Sequence, residues 1–162
     1  MNDAASLAQA ANGALSQYVA VHDDIFGGSL WRGIRRSVPI PGLFQAIPYA
    51  AHVETLGALR QELRTILGRS SSLLAEAPQE STRTVFIREL EQYCHALEDT
   101  VSCLYEICAE FADKAKGSPG PSWTDYRRKL DEYERSRQSY AALGPRLNQA
   151  FSLMQPEDLT GR

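Results

Sequence analysis

Apolar residues recur at alternating steps of three and four positions in the middle of the chain. The series consists of Ile87, Leu90, Cys94, Leu97, Val101, Leu104, Cys108 and Phe111. Such a series forms one stripe along an α-helix, and it requires a long helix packed lengthwise against other helices. Charged residues occupy the other faces, and no glycine or proline intervenes before Gly117. The pattern therefore predicts a helix over residues 83–116.

A second long helix is predicted over residues 123–153. The glycine- and proline-rich residues 117–121 form a turn by composition, and Ser122 with Asp125 resembles a capping box. Two positions of its apolar series, Arg137 and Gly144, lack the expected apolar side chain. Because proline lacks a backbone N–H, Gly144 and Pro145 are expected to kink or interrupt this helix, and its last turns are expected to pack separately.

The first half of the chain predicts two more helices. One covers residues 41–76, beginning at Pro41 and bending at Pro48. A weaker one covers residues 3–21 and is followed by a glycine-containing linker over residues 22–38. Short turns between long helices make neighbouring helices antiparallel. The predicted fold is therefore all-α, a single domain over residues 1–162 that forms an antiparallel up-down four-helix bundle with long helices.

Charges on the two last helices are expected to face each other across the bundle. The acidic row comprises Glu89, Glu91, Glu98, Asp99, Glu106 and Glu110, and the basic run comprises Arg127, Arg128, Lys129, Arg135 and Arg137. Over the whole chain, 17 basic and 20 acidic side chains give a net charge of −3. Proteins that bind nucleic acid through phosphate contacts normally carry a basic surplus, so no nucleic-acid partner is expected.

The residues that usually carry chemistry form no recognisable site. The three cysteines fall on one predicted helix without zinc-type spacing, and the phosphate-binding and metalloprotease motifs are absent. We therefore predict no metal, no cofactor, no catalytic residue and no enzymatic activity. The sequence begins without the charged start and apolar run of a signal peptide, so a cytoplasmic location, peripheral to a membrane when activated, is expected.

One enzymatic alternative rests on Arg88 and His95. Their spacing resembles the arginine and histidine pair of HEPN ribonucleases, which are also all-helical. In that family, the pairs of two protomers meet across a dimer interface and act on RNA. The same pair also suits two exposed polar residues beside the apolar stripe, since His95 directly follows Cys94.

The N-terminal third has the character of a membrane-surface segment. Residues 4–22 contain no Asp, Glu, Lys or Arg, and Leu7, Leu15 and Tyr18 fall on one side of the predicted helix. A cluster of aromatic and basic residues follows, formed by Trp31, Arg32, Arg35 and Arg36. Aromatic rings suit the headgroup depth of a bilayer, and arginines suit anionic lipid. The alternative is a helix that packs in the bundle, with Trp31 closing one end of the core.

Residues 38–43, Val-Pro-Ile-Pro-Gly-Leu, resemble a turn in the four-helix domains of fungal HeLo-type and mixed-lineage-kinase-domain-like proteins. The layout of the later helices is similar in kind. The resemblance implies a module of cell-death or immune-type signalling that self-associates when released and damages membranes through its N-terminal part. Its partners would be further copies of itself, another helical protein, or anionic membrane lipid. A protein–protein adaptor or assembly subunit without a membrane role is the other non-enzymatic interpretation.

Overall fold

The computed structural model describes residues 3–27, 47–76 and 81–154, and all regular structure in these ranges is helical. Helix α1 spans Asp3–His22 and continues into a π-helical turn at Asp23–Gly27. Helices α2, α3 and α4 span Tyr49–Glu76, Thr82–Ala115 and Trp123–Leu153. The predicted all-α class is confirmed, and the four long helices pack around one hydrophobic core.

Helix α3 lies at the centre because two neighbouring rows of its residues are buried. The predicted row is buried from Ile87 to Cys108, and only Phe111 at its end is partly exposed. A second buried row, which the sequence pattern did not single out, consists of Phe86, Tyr93, Thr100 and Ile107. Two buried rows present a face wide enough for several neighbours. Helix α3 accordingly contacts all three of the other long helices.

Local sequence signals set the ends of α3 and α4. The side chains of Ser81 and Ser122 accept hydrogen bonds from the backbone N–H groups of Thr84 and Asp125, each at 3.1 Å. Such caps satisfy N–H groups that have no partner in the first turn. After α3, Gly117 adopts φ of +100°, a conformation that favours glycine and turns the chain out of the helix.

Side-chain pairs show how α3 meets its two long neighbours. Towards α2, Tyr49 stacks on Phe111 with ring centroids 5.0 Å apart, and Arg64 donates to Glu98 at 2.7 Å. Towards α4, the charged pairs are Lys129 with Glu110 and Arg146 with Glu89, both at 2.7 Å. The predicted pairing of the acidic row with the basic run is thus only partly realised.

The rest of the basic run pairs differently from the expectation. Arg137 donates to Glu134 and Arg128 to Glu132, each within α4 itself. Glu98 of the acidic row turns to α2 instead of α4. Pairs one helical turn apart form without cross-helix alignment, so local geometry competes with the cross-helix pairing.

The two prolines lie differently from the predictions. Pro48 is not inside a helix but directly precedes α2, where the carbonyl of Pro48 accepts from the N–H of His52 at 3.1 Å. Residues 41–46 of the predicted helix lie outside the described residues. Gly144 and Pro145 do not interrupt α4, which runs through both. Beyond them, Ala150 and Met154 are buried in the common core. The packing of α4 on α3 offsets the one backbone hydrogen bond that Pro145 cannot donate.

The centrality of α3 makes a quantitative prediction. Leu97→Ala removes a fully buried side chain from its middle, and we expect the free energy of unfolding to fall by about 2–5 kcal/mol. The matched control is His95→Ala, an exposed position on the same helix, with an expected change within about 0.5 kcal/mol. Urea unfolding followed by circular dichroism measures both variants. A cost for Leu97→Ala no larger than that for His95→Ala would contradict the placement of α3.

Candidate functional site

The sequence-predicted membrane residues of α1 face the bundle. Leu7 and Tyr18 are buried, and Leu15 is partly buried. Trp31, Arg32, Arg35 and Arg36 lie outside the described residues. Contact of Leu7 or Tyr18 with lipid would therefore require α1 to leave the bundle. The boundary between α1 and the other helices is therefore the candidate functional site.

The residues of the ribonuclease alternative lie away from that boundary. Arg88 and His95 are both exposed on α3. Within the described part of the chain, neither side chain forms a hydrogen bond or an ion pair with another side chain, and neither lines the hollows of about 390 Å³ and 290 Å³. The structure does not bring these two residues together with any further candidate for RNA chemistry.

A hydrogen-bonded cluster joins the end of α1 to the middle of α4. The hydroxyl of Tyr133 lies 2.6 Å from the hydroxyl of Tyr18 and 2.6 Å from Nδ1 of His22. Tyr18 and His22 are one turn apart on α1, so both side chains reach the same partner. We call Tyr18, His22 and Tyr133 the hydroxyl cluster. Since Tyr133 carries one hydroxyl proton, it can donate to at most one of these neighbours and must accept from at least one of them.

Aromatic rings shield the hydroxyl cluster from water. The ring of Phe26, supplied by the π-helical turn, stacks on Tyr133 with centroids 5.7 Å apart. Tyr140, one helical repeat beyond Tyr133, meets the ring of Tyr18 edge-on at 5.8 Å. Edge-on and offset ring pairs add stabilisation beyond the area they bury. The cluster is therefore a polar contact enclosed by apolar rings.

Burial sets the protonation of the cluster. Burial raises the pKa values of the Tyr18 and Tyr133 hydroxyls far above their ordinary range, so both stay protonated. Burial, followed by the nearby Arg137 guanidinium, lowers the pKa of His22 below its ordinary 6.5, while the Asp23 and Glu134 carboxylates oppose this shift. The neutral form of His22 is thus favoured near neutral pH.

Arg137 explains one of the two gaps in the apolar series of α4. Its guanidinium forms two hydrogen bonds with the carboxylate of Glu134, both 2.8 Å long. Hydrogen bonds from Arg137 and Gln138 lower the pKa of Glu134 to about 2. A charge pair of this kind, beside His22, replaces the apolar contact that the spacing predicts. Arg137 thereby contributes the positive charge that disfavours protonation of His22.

A second polar contact holds the π-helical turn that follows α1. Nε2 of His52, on the first turns of α2, lies 2.7 Å from Oδ2 of Asp24. His52 is largely buried, whereas the Asp24 side chain is half exposed. At the opposite end of α1, Arg83 approaches Asp3 only to 4.0 Å. Arg69 reaches Ser6 of α1 only at 3.5 Å, so the shortest polar contacts of this segment are those of its C-terminal end and the π-helical turn.

Towards its N-terminal half, α1 stands apart from α4 and leaves a groove. We call it the α1–α4 groove, and its volume is about 390 Å³. Its lining comes from three helices: Ala8, Ala11, Asn12 and Leu15 of α1, Phe86, Leu90 and Tyr93 of α3, and Gly144, Leu147, Asn148 and Phe151 of α4. None of these side chains carries a charge at neutral pH.

Small residues explain why the groove is open. Ala8 and Ala11 on one wall face Gly144 on the other. A Cβ added at Gly144 would meet no atom within 4 Å. The glycine that the sequence marks as an exception to the apolar series therefore leaves the space unfilled. In the sequence, only the exceptions at Arg137 and Gly144 pointed to this part of α4. They did not indicate which residues of α1 lie opposite it.

Other chemistry-bearing residues of the described chain do not converge. Burial raises the pKa of both Cys94 and Cys108 to about 12, which disfavours a reactive thiolate. Among residues 3–27, 47–76 and 81–154, no three His, Cys, Asp or Glu side chains are grouped as a metal site would require. A second, more open hollow of about 290 Å³ lies beside Asp3, Arg69 and Glu76.

Acid is expected to weaken the attachment of α1. Because the pKa of His22 is lowered by folding, its contribution is fully present above the unfolded value of about 6.5 and is lost as the pH falls below it. We expect the free energy of unfolding of His22→Gln to depend less on pH than that of wild type between about pH 7 and 5. Urea titrations measure the slopes, and His95→Gln is the exposed control. Equal slopes for wild type and His22→Gln would exclude this linkage.

No described helix has the length and apolar character that a membrane span requires.

The chain was compared with known proteins at three levels. No family model, no curated protein and no solved structure matches it.

Proposed function

We propose that this chain is a non-enzymatic helical-bundle module for self-association and membrane engagement in a cell-death or immune-type signalling pathway. In this proposal, α1 is the element that leaves the bundle. The observation that carries it is the way α1 is held: mostly small side chains and one hydrogen-bonded cluster fix it, and a groove separates part of it from α4.

Half of the buried side chains of α1 are alanines, which keeps the free-energy cost of such an exchange low. Its buried residues are Ala4, Ala11 and Ala14, with Leu7, Tyr18 and Val21 as the larger ones. A buried leucine-sized side chain contributes about 1.5–3 kcal/mol, whereas an alanine contributes roughly one methyl group's share. Burying the same side chains in lipid or in another copy would recover this stabilisation. The exchange therefore costs less for α1 than for the leucine-rich α2 or α3.

An antiparallel up-down arrangement forms part of the proposal. Towards α2, Tyr49 meets Phe111 while Arg64 meets Glu98, so partner numbers fall as residue numbers rise. Towards α4, the pairs of Lys129 with Glu110 and of Arg146 with Glu89 follow the same order, which supports the arrangement. A first helix attached at one edge of such a bundle is free to separate without breaking the α2–α3–α4 core.

The lining of the groove supports a role without catalysis. Apart from the Tyr93 hydroxyl, its residues offer no titratable group for acid–base or nucleophilic chemistry. Burial raises the pKa of Tyr93 itself to about 12. An interaction module needs only shape, apolar area and a few hydrogen-bonding groups, and these are what the groove offers.

The end of the bundle near the start of α4 suits contact with a membrane surface. Trp123 is 72% exposed there, and Arg127 is exposed one turn later. Tyr49 packs at the same end through Phe111, whose ring meets Tyr126 edge-on. Aromatic side chains and cations together are typical of segments that bind anionic lipid surfaces.

A protein–protein adaptor is the second candidate, and the opposite end favours it. Val85, Phe151 and Leu153 are exposed by 44%, 45% and 59%. Exposed large apolar side chains that lie together mark interaction surfaces. The adaptor interpretation expects association that is lost in Leu153→Ser, measured by light scattering, with no binding to vesicles.

Loosening the hydroxyl cluster should increase membrane engagement. Tyr133→Phe removes the hydroxyl that both Tyr18 and His22 contact, a change that costs about 1–3 kcal/mol. We expect faster hydrogen exchange of α1 amides and stronger leakage of phosphatidylserine-containing vesicles. The control is Tyr126→Phe on the same helix, whose hydroxyl has no hydrogen-bond partner among the described residues. Loosened α1 with unchanged leakage would refute the role of α1.

The arginines of the N-terminal third should determine the lipid preference. Arg35→Glu combined with Arg36→Glu is expected to weaken binding to anionic vesicles, since each arginine near such a surface contributes about 1 kcal/mol. The control pair, Arg88→Glu with Arg135→Glu, changes the net charge equally, from −3 to −7 by two changes of −2 each, at exposed sites on α3 and α4. Vesicle co-sedimentation measures both. Equal weakening by both pairs would show a mere net-charge effect and contradict the site.

A further inference from the structure

We infer that the α1–α4 groove binds a small, uncharged, mainly apolar molecule that carries one carbonyl or hydroxyl oxygen. The groove volume of about 390 Å³ lies within the range of about 300–1,000 Å³ that is typical of ligand pockets. A dry apolar cavity of about 150 Å³ already holds benzene. The groove therefore has room for a ligand of two fused rings or a chain of comparable size.

The charge of the lining determines the charge of the ligand. Alanine, leucine, phenylalanine and glycine residues form most of the lining, and the nearest helix positions with charges, such as Glu89 and Arg146, pair with each other instead. A charged ligand would lose its hydration without gaining an ionic partner, which is costly. An uncharged ligand avoids that cost.

A polar side chain inside the groove lacks a protein partner. Tyr93 is only 6% exposed and lines the floor, yet its hydroxyl forms no hydrogen bond with a described residue. The ring is held on one side by the edge-on contact with Tyr140, at 5.9 Å between centroids. The hydroxyl itself is not closed off from the groove, so it is free to donate to whatever occupies the groove. A ligand oxygen would accept that hydrogen bond, and Asn12 and Asn148 provide further hydrogen-bonding groups in the lining.

Fluorescence of Prodan, an uncharged naphthalene that carries one carbonyl, tests the inference directly. We expect saturable, blue-shifted emission with the wild-type protein, and much weaker binding of the anionic naphthalene probe anilinonaphthalene sulfonate. Tyr93→Phe removes only the unpartnered hydroxyl, so we expect Prodan affinity to fall about threefold to tenfold without loss of stability. Equal affinity for both probes, or no effect of Tyr93→Phe, would overturn the assigned chemistry.

Filling the groove provides the sharper test. Gly144→Leu places a side chain where no atom lies within 4 Å of the added Cβ, and we expect Prodan affinity to fall more than about tenfold. The matched control is Gly68→Leu, another helical glycine with equally open space, on α2. Both changes remove a helix-destabilising glycine, so thermal unfolding should show both variants folded. Retained affinity in Gly144→Leu, or equal loss in Gly68→Leu, would refute the site.

The occupant could instead be a second copy of the chain, and light scattering distinguishes the two cases. Our inference expects Gly144→Leu to leave the oligomeric state unchanged. A dimer that Gly144→Leu abolishes, in a protein that does not bind Prodan, would overturn the small-molecule assignment. Neither measurement involves a membrane, so failure of the ligand site is distinguishable from failure of the proposed membrane function.

Discussion

The lengthwise packing of α3 is the contact on which the rest of the structure depends. Its two buried rows, one from Ile87 to Cys108 and one from Phe86 to Ile107, give a face that α1, α2 and α4 share. Each neighbour covers only part of that face. The strength of each attachment therefore depends on the size of the side chains that the neighbour contributes, because apolar stabilisation scales with the area removed from water. Helix α2 contributes mainly leucines to the core, whereas α1 contributes three alanines besides Leu7, Tyr18 and Val21.

This difference in side-chain size makes the boundary between α1 and α4 unlike the others. Where small residues face each other, the boundary stays open as the groove, and where Tyr18, His22 and Tyr133 meet, it is closed by hydrogen bonds. Hydrogen bonds inside a ring-lined enclosure are strong only while every partner keeps its protonation state. The attachment of α1 thus combines the apolar burial of Leu7, Tyr18 and Val21 with a few polar groups.

Most of the fold could be predicted from the sequence, and most of the site could not. The stripe from Ile87 to Phe111 and the capping box at Ser122 are local signals, and the observed helices follow them closely. The predicted interruption at Pro145 is wrong, because the tertiary packing of α4 outweighs one missing hydrogen bond.

The hydroxyl cluster and the groove arise from contacts between residues far apart in the chain. Tyr18 and Tyr133 are 115 positions apart, and no periodicity reports which tyrosine of one helix meets which of another. The groove depends on a volume left unfilled around Gly144, and no sequence pattern indicates such a volume. The exceptions in the apolar series did mark the right helix, since Arg137 and Gly144 both belong to this boundary. An exception to a strong pattern is thus a guide to where a site lies, but not to what it contacts.

Protonation and ligand binding act on the same boundary in opposite directions. A proton on His22 disfavours the docked state of α1 because the folded environment lowers its pKa, whereas a molecule that touches both walls of the groove favours it. Linkage is reciprocal, so a ligand that stabilises docking must also lower the proton affinity of His22. If α1 is the exchangeable element, acid and loss of the ligand would release it together. The free-energy effects of His22 protonation and of ligand loss would then add in the same docking equilibrium of α1, without any conformational change in the α2–α3–α4 core.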